Sequence, residues 1–78
     1  MTNFNSVSLD QQWPRGLTRR EIEVVHMVGN GMSNKEIARR LELSPGTVKL
    51  HVHSILVKTG AKTRFNLIVQ MATRSSAA

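Results

Sequence analysis

Three helix-opening signals stand close together in this chain and confine it to short helices joined by tight turns. Thr18 is followed three positions on by Glu21, and Ser33 by Glu36. In each pair the hydroxyl and the carboxylate can accept hydrogen bonds from backbone N–H groups that a helix start leaves free. The third signal is Ser44 followed by Pro45, a capping residue and then a residue whose fixed φ suits the first helical position. Behind the first box Ile22, Val25 and Met27/Val28 recur at helical spacing, and Gly29 and Gly31 bracket the end. Ile37, Ala38 and Leu41 follow the second, and Gly60 closes the third helix. Thr63 caps a last helix carrying Phe65, Leu67, Ile68, Val69 and Met71. No segment alternates with a period of two. The pattern predicts an all-α four-helix bundle, with helices at about 19–29, 34–42, 45–59 and 63–73.

The helices at 34–42 and 45–59, joined at Leu43-Ser44, have the layout of a helix-turn-helix. A chain of 78 residues makes one small domain and leaves little room for a deep substrate cavity. Its 40% hydrophobic content argues against wholesale disorder. Residues 1–16 are polar, lack helical period and end in Pro14 and Gly16, so they read as a tail or linker, with Phe4 and Trp13 as anchors folding back on the domain. Residues 17–74 form the expected domain, and 75–78 a frayed end. The chain has no cysteine, which excludes disulfides and thiolate metal sites and fits a reducing cytosol. Met1 to Trp13 lacks the basic and apolar regions of a secretory signal, and no apolar run is long enough to span a bilayer, so a cytoplasmic protein without membrane contact is expected.

Charge is unevenly placed. The net charge is +6, yet every carboxylate lies at or before Glu42, while Lys49, Lys58, Lys62, Arg64 and Arg74 follow it. A stretch cleared of acids suits contact with phosphate, and nucleic acid is favoured over an acidic protein or a membrane surface. On the third helix, at about 100° per residue, Val48, Val52, Ile55 and Thr59 share a core stripe with Leu56 at its edge. Opposite lie Leu50, His53, Ser54 and Val57, flanked by Lys49 on one side and by Thr47, His51 and Lys58 on the other. Lysine can donate to guanine O6 and N7, histidine can donate or accept, and leucine can pack on a thymine methyl. Leu50 divides evenly between base contact and contact with a partner protein; Val57 has the same alternatives.

Catalysis and metal binding find no support. His51 and His53 point about 200° apart on a helix and cannot chelate together. Glu21 and Glu36 are engaged by caps, and Ser54 beside His53 makes no nucleophile–base pair. His26 reads as a partly buried structural histidine, and no cofactor is expected.

Leu17-Thr18-Arg19-Arg20-Glu21, Gly31-Met32-Ser33-Asn34-Lys35-Glu36-Ile37-Ala38, Leu41 to His51, and then Ile55, Lys58 and Arg64 together resemble the LuxR/FixJ-type (GerE-like) DNA-binding domain over about residues 17–72. The resemblance implies a transcription regulator that binds pseudo-palindromic promoter DNA as a homodimer, with its third helix in the major groove. It assigns base contacts to Lys49, Leu50 and His53. Asn34, Lys35, Thr47, His51 and Lys58 would fix the scaffold or contact phosphate. Glu21 and Arg64 would be a structural pair tying the first helix to the last, and the last helix a dimer surface that includes Ile68 and Met71. Thr59 and Ala61 stand where the family prefers larger aliphatic residues, which implies a less well packed corner. Such a domain occurs as a short stand-alone regulator or as the C-terminal part of a response regulator. Two other readings are carried: a sigma-factor-like promoter-reading domain acting with RNA polymerase, and a protein-interaction module using Leu50 and Val57.

Overall fold

The computed structural model describes the backbone of residues 16–77 and the side chains of residues 16–73; the expected tail, with Phe4 and Trp13, lies outside the described residues. Four helices and no strand occur among them: α1 (Arg19–Gly29), α2 (Asn34–Leu41), α3 (Pro45–Thr59) and α4 (Arg64–Ala77). This is the all-α arrangement the capping signals predict.

Both capping boxes form. The Thr18 hydroxyl accepts the Glu21 N–H at 3.0 Å while the Glu21 carboxylate accepts the Thr18 N–H at 2.9 Å. Ser33 and Glu36 do the same at 3.1 and 2.8 Å. Ser44 accepts the Thr47 N–H at 3.1 Å, and the Thr63 hydroxyl accepts the Asn66 N–H at 3.0 Å.

The ends of α1 and α2 share one geometry. After α1, Gly31 takes a left-handed φ of 85°, and the Met32 and Gly31 N–H groups bond back to the carbonyls of Met27 and Val28. After α2 the left-handed residue is Glu42 at φ 59°, and the Leu43 and Glu42 N–H groups bond to the carbonyls of Ala38 and Arg39. These paired bonds satisfy carbonyls that a helix end would leave bare. The helix therefore stops at Leu41 rather than 42, and the turn before α3 is only Glu42-Leu43-Ser44. At the other end of the chain α4 runs to Ala77, beyond the expected 73, because Met71, Ala72 and Arg74 favour helix and neither glycine nor proline interrupts them.

The core is drawn from every helix: Val24, Val25 and Val28 of α1, Ile37 and Ala38 of α2, Val48, Val52 and Ile55 of α3, Leu67 of α4, and Ala61 from the connection. α3 packs against all three other helices, and α4 closes on α1. At the α3–α4 corner Thr59 supplies hydrogen bonds where a larger aliphatic residue would supply methyls. Its hydroxyl donates to the Ile55 carbonyl at 2.9 Å and accepts from the Ala61 N–H at 3.3 Å.

Candidate nucleic-acid interface

α3 has one face committed to the core, since Val48 and Ile55 are fully buried, Val52 nearly so, and Leu56 and Thr59 half-buried. A second flank is committed to α1. The Ser54 hydroxyl donates to Glu21 Oε2 at 2.7 Å, and the Lys58 ammonium donates to Glu21 Oε1 at 2.9 Å and to the Gly16 carbonyl at 2.8 Å. Burial raises the Glu21 carboxyl, but the Thr18 N–H, the Lys58 hydrogen bond, the Ser54 hydroxyl and the Lys58 charge outweigh it and hold its pKa below the usual glutamate value. This carboxylate serves the α1 cap and locks α3 to α1 at the same time.

Apart from Lys58 and the first-turn Pro45 and Gly46, the exposed residues of α3 form a single stripe: Lys49, Leu50, His53 and Val57. Leu50 and Val57 are 70% and 69% exposed, more than a scaffold residue needs. The structure therefore brings together the three residues expected to read bases. Ser54, expected on the same face, is instead turned onto α1. Thr47 is half-buried, its hydroxyl 2.9 Å from that of Ser44, and His51 is half-buried on the flank. Lys35 is exposed in the first turn of α2, with Arg39 and Arg40 exposed in its last turn.

The expected Glu21–Arg64 pair does not form. Glu21 is held by Thr18, Ser54 and Lys58, while Arg64 Nη1 donates to Asn34 Oδ1 and Nη2 to the Met32 carbonyl, both at 2.7 Å. Arg64 thus ties α4 to the α1–α2 connection. The guanidinium is taken up by acceptors at Met32 and Asn34, and the carboxylate by three donors of its own. Asn34 and Lys58 therefore have internal partners, the scaffold-fixing half of what was expected of them.

The last helix also differs from expectation. Ile68 and Met71 are half-buried and pack against the core, and Met71 lies so close over Gly29 that a Cβ there would clash with its sulfur. The exposed apolar residues of α4 are Phe65, at 69%, and Val69, at 44%. The resemblance put Ile68 and Met71 on the dimer surface; the four-residue spacing of Phe65 and Val69, off the Leu67/Ile68/Met71 stripe, is the signal that separates the exposed pair from the buried set. His26 is half-buried, as expected; its Nε2 is buried without a hydrogen-bond partner, and burial pushes its pKa below the ordinary histidine value.

No described helix is long and apolar enough to cross a membrane. A family model described as "Bacterial regulatory proteins, luxR family" matches residues 15–71. A Mycobacterium tuberculosis protein described as an HTH-type transcriptional regulator is 43% identical over 60 residues, 77% of this chain and 7% of its own length. The transcriptional regulatory protein LnrK of Bacillus subtilis is 50% identical over 48 residues, 62% of this chain and 22% of its own. The nitrate/nitrite response regulator protein NarP of Escherichia coli is 44% identical, again over 62% of this chain and 22% of its own length. The chain thus spans less than a quarter of these relatives, and no solved structure gave a significant match. The match of the family over nearly all the described residues, on a helix-turn-helix whose second helix leaves one stripe open, means that this chain belongs to the luxR family of bacterial regulatory proteins.

Proposed function

We propose that this domain binds double-stranded promoter DNA and regulates transcription, with α3 in the major groove and no catalytic role. The observation that carries this reading is the open stripe of α3, where Lys49, Leu50 and His53 stand exposed in a chain segment without a single carboxylate after Glu42. Those three residues read base edges, while Lys35, Thr47 and His51 contact the phosphate backbone on either side. Asn34 and Lys58 hold the scaffold through Arg64 and Glu21. The names of the relatives, transcriptional regulators and a response regulator, support the same assignment.

The domain acts as a homodimer on pseudo-palindromic sites, and Phe65 and Val69 on α4, rather than Ile68 and Met71, supply the apolar contact between copies. A cytoplasmic location follows from a chromosomal target. Selection of bound duplexes from a random pool tests the proposal. Inverted repeats occupied by two chains are expected, with Lys49→Ala losing about 1–3 kcal/mol on the selected site and relaxing preference at one base pair. A pool that emerges unenriched at moderate salt refutes it. Single-chain occupancy together with tight binding to RNA polymerase core would favour the sigma-like alternative.

A further inference from the structure

We infer that Val57 is a fourth base-reading residue, and that it and Leu50 each take a thymine methyl group in the half-site. The inference rests on the proposed DNA binding and adds to it a residue and a chemical class of base edge.

On the exposed stripe Val57 follows His53 by four residues, Lys49 by eight and Leu50 by seven, so all four side chains project from one side of the rod. Val57 and Leu50 are the two exposed large aliphatic residues of α3, at 69% and 70%. At 1.5 Å per residue they stand about 10 Å apart along the axis, close to the rise of three base pairs. The polar neighbours that would otherwise share this end of the helix, Ser54 and Lys58, are drawn back onto Glu21. Val57 is left as the exposed apolar group of the last turn.

An exposed aliphatic pair calls for an apolar occupant, and the charge around it selects which. Lys49 borders the stripe, Lys62 is exposed just past its end, and no carboxylate lies between Leu43 and Ala78. That surface matches a polyanion, and the apolar group that a duplex presents in the major groove is the C5-methyl of thymine. For Val57 to reach one, α3 must lie along the groove floor. An end-on helix would present only its first two turns.

The test uses the duplex selected from the random pool. Each thymine is replaced in turn by uracil, which removes only the methyl, and binding is measured for the wild type, Leu50→Ala and Val57→Ala. Because both positions are exposed, melting temperatures within a degree or two of the wild type are expected for each variant. One thymine-to-uracil change should weaken the wild type about fourfold, the worth of one buried methyl, and be silent in Val57→Ala. A second, two or three base pairs away, should be silent in Leu50→Ala. If the wild type discriminates among duplexes but Val57→Ala keeps full affinity, or no thymine is silenced by it, this inference is overturned while the proposed function stands. Dissociation of a DNA-free dimer by Val57→Ala would also overturn it, by giving the side chain to a second copy. A wild type that prefers no duplex overturns both.

Discussion

Lys58→Met separates a lysine that grips DNA from one that grips its own domain. The substitution keeps the aliphatic stem and removes the ammonium that bridges Glu21 Oε1 at 2.9 Å and the Gly16 carbonyl at 2.8 Å. The Glu21 side chain is only 6% exposed and that of Lys58 34%. A buried pair broken from one side costs about 3–5 kcal/mol, whereas an exposed pair is worth roughly 0.2–1 kcal/mol. Here one partner is a third exposed and solvent-screened, and Glu21 keeps the Thr18 N–H and the Ser54 hydroxyl. An intermediate loss of about 2 kcal/mol is expected. For a domain of this size that lowers Tm by about 8–16 °C, readable by circular dichroism. Affinity for a selected duplex, measured over a salt series well below the melting point, should keep the wild-type slope. A slope lower by about one unit, with melting unchanged, would refute the reasoning and return Lys58 to the phosphate backbone. Glu21→Gln provides the internal comparison. The amide oxygen can still accept from Thr18 and Lys58, and its NH2 can donate to Ser54, so its loss should be the smaller of the two.

Two further outcomes are expected. Arg64→Ala should cost about 2–3 kcal/mol in urea unfolding, since charge-assisted bonds to Asn34 and the Met32 carbonyl are both lost. Arg64→Lys should recover less than half, because an ammonium lacks the planar fork that serves both acceptors; full recovery would argue against the bidentate role. Stability should also fall on acidification in two stages. His26 and Glu21 both have folded-state pKa values below their ordinary ones. Each therefore contributes stability that is complete above its unfolded pKa and is lost as the pH falls toward the folded value. Tm should begin to drop below about pH 6.5 from His26 and again below about pH 4.3 from Glu21. His26→Phe should abolish the first stage alone, and a first stage that persists in that variant would assign it elsewhere.

The parts of this fold legible in the sequence are those decided within a few residues. Thr18/Glu21, Ser33/Glu36 and Ser44-Pro45 act across one helical turn, so the start of each helix follows from spacing alone. The core stripe of α3 was readable for the same reason, because Val48, Val52 and Ile55 repeat with the helical period. Illegible were the contacts set by how helices cross. Glu21 meets Ser54 and Lys58 from 33 and 37 positions away, and no local pattern says that α1 lies against that flank of α3. α4 presented a different difficulty. With Phe65, Leu67, Ile68, Val69 and Met71 apolar almost all round, its buried side depends on where Gly29 leaves room for Met71. Of the residues expected to read bases, Lys49, Leu50 and His53 were legible as an open group, but not the withdrawal of Ser54 and Lys58 that narrows the face and isolates Val57.

The glutamate at φ 59° between α2 and α3 has a bearing on how the domain meets a ligand. A glycine there would range widely over positive φ, whereas a residue with a Cβ has at positive φ only one small left-handed basin, which costs on the order of 1 kcal/mol to occupy. The joint is consequently stiff, pinned by two backbone bonds before it and by the Ser44 cap after it. The inclination of one rod to the other is thus set by contacts within the chain, and the entropy of ordering this joint is spent on folding.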